Sequence, residues 1–517
     1  MKSKQVIWCL FFLLMFVCTN KVFAQRLPSK DKPNIVIIYL DDLGYGDIGC
    51  YGAKRVQTPN VDALAKKCLR FTDAHCTAAT CTPSRFSLLT GMYAFRNNAA
   101  ILPGDAPLLM KPHSQTLPQL LKSAGYTSAV VGKWHLGLGI GSIDWNKKVS
   151  PGPLEVGFDY SFIIPATTDR VPCVYVENHS VYNFDADDPI IVSYKGKIGD
   201  EPTGLERPDL LKMKADSQHS NTIINGISRI GFMKGGRRAI WRDEDMAITF
   251  TEKAQSFIKA HKSQPFFLYF SLTDIHVPRT PNERFVGKSN MGRRGDMIAE
   301  LDWATGAIMQ TLKEEGLDQN TLIIFSSDNG PVLDDGYDDE AERLVGAHQP
   351  SGPYRGGKYS AFEGGTRVPM IVHWPAKVKR GVSNALFSQI DMVASLAMLA
   401  GVPLPKDAAP DSENALPVLL GQTKTGRKMM LEESFTFSLR KGGWKYIATQ
   451  EKPVPDWLRN KKIETGLSTH GQLYNLSVDK TERKNVAASY AKIVKELQED
   501  LQRIRQKNGT RENFEIH

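Results

Sequence analysis

Asp41-Asp42 and Asp328-Asn329 each follow an apolar run, 34–40 in one case and 321–326 in the other. Singly, each pair has a plain reading: a helix N-cap beside a solvated acid, or an Asx-turn closed by Gly330. Together they offer three carboxylates and one amide oxygen with no His or Cys cage. That set favours Ca²⁺ or Mg²⁺ over Zn²⁺, and Ca²⁺ tolerates ligands drawn from separate loops. Such ligands are expected at the mouth of a site, outside the core. Arg85, Lys133, His135, His276 and Lys358 each lie near a Gly or Pro, in a tight loop or helix start. A lone Lys is usually solvated and a lone His usually structural. Five basic residues near presumed strand ends, around a divalent metal, suit a tetrahedral oxyanion whose charge grows during reaction. The substrate class is then a sulfate or phosphate ester.

The segment Cys81-Thr82-Pro83-Ser84-Arg85-Phe86-Ser87-Leu88-Leu89-Thr90-Gly91 sets a thiol just before a Pro-started helix. Unpaired N–H groups there favour an anion. On those cues alone Cys81 is either a nucleophile or a structural thiol. The segment resembles the signature of the sulfatases of the alkaline-phosphatase-like superfamily, in which the cysteine is oxidised after translation to formylglycine. The resemblance runs from about Pro33 through Tyr474. It takes in Leu40-Asp41-Asp42-Leu43-Gly44, Gly132-Lys133-Trp134-His135-Leu136-Gly137, His276-x-Pro278 and Ser327-Asp328-Asn329-Gly330. Gly357-Lys358 and Glu363-Gly364-Gly365-x-Arg367-Val368-Pro369 complete it.

The resemblance implies a formylglycine-generating maturase as a partner and a hydrated aldehyde at Cys81. One hydroxyl of that diol would lie on Ca²⁺ held by Asp41, Asp42, Asp328 and Asn329, and attack sulfur. Arg85 would stabilise the oxyanion, and Lys133 and Lys358 would neutralise the sulfuryl oxygens. His276 would protonate the leaving sugar oxygen. His135 would take the proton from the second hydroxyl and so release sulfate. The resemblance is to exported bacterial carbohydrate sulfatases known as arylsulfatases, and to those acting on sulfated galactose or N-acetylgalactosamine. It implies exo-acting removal of a 6-O- or 4-O-sulfate from host or dietary glycans. Asp169, Arg170 and His219 (with Thr168) would read the sugar hydroxyls. Two alternatives stay open: a phosphodiesterase or phosphonate monoester hydrolase of the same superfamily, and an inactive glycan-binding homologue.

These residues need a scaffold, and the sequence supplies one. Short apolar runs at 34–40, 128–131, 266–271, 321–326 and 369–374 read as strands of a sheet covered on both faces. Helical patterns at 61–69, 117–123, 243–260 and 296–315 alternate with them, which predicts α/β with a large, mostly parallel central sheet flanked by helices. Ligands in such folds bind beyond the carboxyl ends of the strands. Residues 139–240, rich in Gly, Pro and Asp, read as an insertion that shapes the pocket. Residues 25–402 form the catalytic part. A linker near 403–410 leads into a small antiparallel sheet (438–449 and 472–476) and an amphipathic helix, 487–505.

The chain of 517 residues carries a net charge of +9, with 41% hydrophobic and 23% charged residues, so it is globular and not disordered. No Lys/Arg run is long enough for a nucleic-acid arm. Lys2 and Lys4, the apolar run 6–17 and Val22-Phe23-Ala24 read as an export signal cut after Ala24, giving a periplasmic or secreted protein. A lipoprotein cysteine at Cys18 is disfavoured by the bulky Val17. No segment is apolar for long enough to span a membrane. Cys50, Cys68, Cys76, Cys81 and Cys173 remain after cleavage, an odd number that leaves at least one thiol unpaired.

Overall fold

The computed structural model describes residues 32–515 apart from positions 452 and 460, so the expected signal lies outside the described residues. Among those residues, no helix is long and apolar enough to cross a membrane.

The fold grows from strand β1 (Asn34–Leu40), whose seven residues are all buried. In chain order, the central sheet adds β2 (Leu69–Phe71), β3 (Thr127–Lys133), β4 (Tyr160–Ile164), β5 (Val176–Glu177) and β6 (Ser180–Val181). It continues with β7 (Phe266–Ser271), β8 (Thr321–Ser327), β9 (Met370–His373) and β10 (Gly381–Ser383). Their order across the sheet is β10-β2-β9-β8-β1-β7-β3-β4-β5-β6. The five middle strands, β8 to β4, run parallel. Antiparallel pairs at both sides make the sheet mixed. Strands buried on both faces need cover on both. The helices form two packed groups: α1 (Pro59–Ala65) with α4 (Met246–Ala260) and α5 (Gly292–Glu314), and α2 (Cys81–Thr90) with α3 (Leu117–Ser123) and α7 (Met392–Leu399). The label α6 goes to the single turn Glu363–Thr366.

Two local readings change. The first helix ends at Ala65, and Leu69 instead pairs with Val372 in the sheet. Its spacing from Val61 and Leu64 mimics a helical stripe. Within 139–240, Tyr160–Ile164 is an integral parallel strand with Phe162 and Ile163 fully buried, so this stretch carries core as well as loops. All five described cysteines are free thiols.

The C-terminal sheet has four antiparallel strands, β11 (Met429–Glu433), β12 (Phe437–Lys441), β13 (Trp444–Ile447) and β14 (Gln472–Asn475). The helix Ala491–Gln506 lays Leu497, Leu501 and Ile504 on it. An ion network joins this sheet to the larger body. Arg440 binds Asp73 at 2.7 Å, and Lys445 reaches Glu363 at 3.1 Å and Glu432 at 3.3 Å. Arg367 binds Glu363 at 2.6 Å, and His75 binds Glu432 at 3.0 Å. Asp73, His75 and Glu363 lie close enough together to hold a metal, but Arg367, Arg440 and Lys445 already balance these acids.

Burial alone would raise the Glu363 carboxyl. Lys445, Arg440, Arg367 and His75 outweigh it and hold Glu363 well below the usual carboxylate range. A carboxylate depressed on folding contributes stability above its unfolded value of about 4.3, and that stability is lost as pH falls through the folded value. Glu363→Gln should therefore lower stability at pH 7 by about 3–5 kcal/mol, because it leaves buried cations unpaired. Calorimetry should show its Tm several degrees low at pH 7 and its decline below about pH 4 shallower than in the parent. An unchanged Tm at pH 7 would show that the network does not hold the two parts together.

Candidate active site

The carboxyl ends of β1, β8, β7 and β3 lie side by side, because these strands are parallel neighbours. Asp41-Asp42 leave β1, Asp328-Asn329 leave β8, and Lys133 ends β3. Lys133 Nζ donates to Asp41 Oδ2 at 2.6 Å and Lys358 Nζ to Asp42 Oδ2 at 2.9 Å. Arg85 Nε donates to Asp328 Oδ2 at 2.8 Å, and Asn329 Nδ2 to Asp42 Oδ1 at 2.7 Å. The expectation of ligands at the mouth does not hold: Asp41, Asp42, Asp328 and Asn329 are fully buried beneath the cavity, each at 0% exposure. Parallel strands place their ends inside the fold once long loops cover that edge.

Two buried oxygens here, Asp41 Oδ1 and Asn329 Oδ1, have no hydrogen-bond partner. Burial raises the carboxyls of both Asp41 and Asp42, and the charge of Asp328 raises them further, against Lys133 at Asp41 and Lys358 at Asp42. Crowded carboxylates with unmatched buried oxygens are what a hard divalent cation would satisfy. His276 shares this cluster, with Nε2 4.0 Å from Asp42 Oδ2.

Cys81 is the first residue of α2, and Pro83 sits two residues further in. Its Sγ lies 3.3 Å from His135 Nδ1. His135 Nε2 lies 2.9 Å from the Leu102 carbonyl, which can only accept. The proton therefore sits on Nε2, and Nδ1 faces Cys81 as an acceptor. Burial, then Lys133 and Arg170, push His135 well down, so the ring is neutral and able to take a proton. Burial pushes the Cys81 thiol up, against Lys133 and Lys358. That is the reverse of what a thiolate nucleophile needs. His276 Nδ1 donates to the Val277 carbonyl at 2.6 Å, which leaves Nε2 as its free nitrogen. Burial, then Lys358 and Lys133, lower it. Asp42, His135 and Tyr359 all have left-handed backbone, with φ of 62°, 52° and 68°. Non-glycine residues hold that conformation only where the surroundings over-determine it.

Above Cys81 opens a cavity of about 230 Å³, lined by Cys81, Asp169, Arg170, His219, His276 and Lys358 among others. Arg85 and Lys133 lie beneath it in their ion pairs. Arg170 binds Asp169 at 2.8 Å, and His219 sits between Asp169 (3.3 Å) and Asp216 (2.7 Å). Burial would lower His219, but these two carboxylates outweigh it and hold the imidazole above its ordinary value. Burial would raise Asp169, but Arg170 and His219 hold it well below the usual range. Thr168 turns away and donates to the Val277 carbonyl.

Sequence reading missed Tyr194, Asp335, Tyr359 and Trp457, which line the same cavity, and Lys461 behind it. The signal for Asp335 was the turn Asp334-Asp335-Gly336-Tyr337. Gly336 has φ +99°, and a Cβ there would lie 2.3 Å from His219 Nδ1. Asp335 binds Lys358 at 2.9 Å and Lys461 at 3.4 Å. Asp335→Asn should leave Lys358 held by Asp42 alone, and lower kcat/KM by roughly 10- to 100-fold through loss of one charge-assisted bond. Steady-state kinetics beside an unshifted circular dichroism spectrum would check this, and an unchanged kcat/KM would contradict it.

A family model described as sulfatase matches residues 33–402. The chain belongs to the sulfatase family. As a sulfatase it is a sulfuric ester hydrolase. A second model, the C-terminal region of N-sulphoglucosamine sulphohydrolase, matches residues 357–507. The sulfatase is 52% identical over 496 residues to the N-acetylgalactosamine-6-O-sulfatase of Bacteroides thetaiotaomicron, covering 95% of this chain and 97% of that one. It is 31% identical to human arylsulfatase A over 501 residues, covering 93% and 88%. A solved structure from a study of glycosaminoglycan metabolism by Bacteroides thetaiotaomicron superimposes with a TM-score of 0.90 at 52% identity, covering 92% of this chain and all of that one. The phosphonate monoester hydrolase of Agrobacterium radiobacter, at 17% identity and a TM-score of 0.56 over 92% and 95%, shares the fold alone.

Proposed function

We propose that this sulfatase is an exported, exo-acting carbohydrate sulfatase that removes the 6-O-sulfate from N-acetylgalactosamine or galactose residues of host or dietary glycans. The observation that carries it is the convergence of Asp169, Arg170 and His219 on the cavity over Cys81, in a chain 52% identical to an N-acetylgalactosamine-6-O-sulfatase. Residues 1–24 act as the export signal, 25–402 as the catalytic part with 139–240 shaping the pocket, and 403–517 as linker and C-terminal subdomain.

A maturase converts Cys81 to formylglycine, and Asp41, Asp42, Asp328 and Asn329 hold Ca²⁺. These groups supply a hydroxyl nucleophile with a lowered pKa and a Lewis acid at the sulfate. Arg85 and Lys133 fix the carboxylates around them, and Lys358 presents its ammonium to the sulfuryl oxygens. His276, neutral until an anion enters, gains a proton at Nε2 as the sulfate's charge offsets Lys358 and Lys133, and gives it to the sugar oxygen. His135 accepts a proton at Nδ1 from the group at position 81, and its Nε2–H bond to Leu102 holds that tautomer.

The cations beneath hold only the sulfate, which every sulfated sugar shares, so the sugar must be read elsewhere. A carboxylate between Arg170 and His219 can meet an axial hydroxyl that the equatorial epimer does not present. Each mismatch costs about 1–3 kcal/mol, roughly 10- to 100-fold in kcat/KM. Desulfation should be measured on positional isomers of sulfated galactose, N-acetylgalactosamine and glucosamine. Asp169→Ala, Arg170→Ala and His219→Ala should each lose at least roughly 10-fold on the 6-O-sulfated galactose-type sugar and far less on a small aryl sulfate. Equal losses on both substrates would remove the basis for the sugar assignment.

A further inference from the structure

A second hollow, of about 380 Å³, abuts the catalytic cavity, and Gln218 and Trp457 line both. Trp457 is half-buried, with its ring edge-on to Tyr359 at 5.1 Å and beside Phe435 at 6.2 Å. The charges of the two hollows differ. The inner one balances Arg170 and Lys358 against Asp169 and Asp335. The outer one is walled by Asp216, Asp334, Asp338, Asp339, Glu340 and Glu342 against Lys214 and Lys461. Asp216, Asp339 and Glu340 are paired, with His219, Arg279 and Arg343. Asp334, Asp338 and Glu342 form no ion pair among the described residues.

We propose that the outer hollow is a second sugar subsite, which takes the residue joined to the sulfated one and selects an uncharged sugar over a uronate. The inference rests on the proposed action on a sulfated amino sugar. The half-buried Trp457 offers an apolar face to the C–H face of a pyranose, while the surrounding carboxylates accept from its hydroxyls. A uronate carboxylate in the same place meets three acids without ion pairs, with Lys214 the one unpaired cation among the described lining residues. At low ionic strength each repulsion is worth a factor of a few, and the three together roughly 10-fold; salt screens them. In the breakdown of a uronate-containing glycan, this enzyme then follows the glycosidic cleavage, hydrolytic or eliminative, that removes the acidic neighbour.

The test compares kcat/KM of the mature enzyme on three substrates: 6-O-sulfated N-acetylgalactosamine, the same sugar linked to a neutral hexose, and the same sugar linked to a hexuronate. In low salt the neutral disaccharide should exceed the uronate disaccharide by roughly 10-fold. The gap should close in high salt and in the triple variant Asp334→Asn/Asp338→Asn/Glu342→Gln, with the monosaccharide rate unchanged. These three side chains lie outside the core. The salt series on the unaltered enzyme reads the same repulsion without any variant. Equal rates on both disaccharides in low salt, or a gap insensitive to salt, would overturn the subsite. No turnover of the sulfated monosaccharide would instead overturn the sugar assignment beneath it.

Discussion

Cys81→Ser should fold as the parent does and hydrolyse every sulfate ester at least roughly 10⁴-fold more slowly. The side chain is 2% exposed, sits at the first position of α2 and touches His135. Serine is smaller by little and keeps the contact, so packing loss is minor. The chemistry is what changes. The thiol is raised by burial and is no thiolate at neutral pH. An unmodified cysteine is therefore a poor nucleophile here, and a serine hydroxyl in the same place is poorer still. Either, once sulfated, lacks a second hydroxyl for His135 to deprotonate. Mass spectrometry of the peptide spanning Cys81 should show the aldehyde in active preparations, and activity should scale with the modified fraction. A preparation with fully unmodified Cys81 and normal turnover would end this account of position 81.

How far the site was legible in the sequence depended on how local each residue's task is. Asp41, Asp42, Lys133, Asp328 and Asn329 stand at the ends of apolar strands, where a parallel sheet places ligands. Strand pattern and polar terminus are adjacent in the chain, so both are read together. Helix Leu117–Ser123 was legible for the same reason, being set by Pro118 and a continuous apolar face. Leu69 misled because its spacing satisfies a helical stripe, while its partner Val372 lies far off in sequence. Asp335 left only a turn signal at Gly336, and Trp457 and Lys461 left none. They come from irregular segments, and their role exists only where the C-terminal part meets the 331–362 loops. The depth of the carboxylates was hidden too, because burial there depends on what the loops cover and not on the strand that carries the acid.

Exhaustive chelation should lower turnover by roughly 10³-fold or more, and Ca²⁺ should restore it in the parent but not in Asp41→Asn or Asp328→Asn. Asp41 Oδ1 and Asn329 Oδ1 are buried without a partner, and an unpaired buried polar atom costs about 1–3 kcal/mol. Asp41, Asp42 and Asp328 lie in one buried cluster with Arg85, Lys133 and Lys358, and Lys358 is shared with Asp335. A divalent cation would cap the free oxygens and offset the burial and the Asp328 charge that raise Asp41 and Asp42. Binding to the folded chain alone must then stabilise it by RT ln(1 + [Ca²⁺]/Kd), about 2.7 kcal/mol at a hundredfold excess over Kd. That effect reads the ion independently of turnover. The parent's Tm should climb with added Ca²⁺, and its metal content should reach one ion per chain. In Asp41→Asn the carboxylate becomes an amide of the same shape, Lys133 loses its counter-charge, and both the climb and the ion should be lost. Asp328→Asn also unpairs Arg85, so its Tm without Ca²⁺ should fall below that of Asp41→Asn. Full activity after chelation, or a Tm indifferent to Ca²⁺, would mean that the buried acids are held by protons and lysines alone.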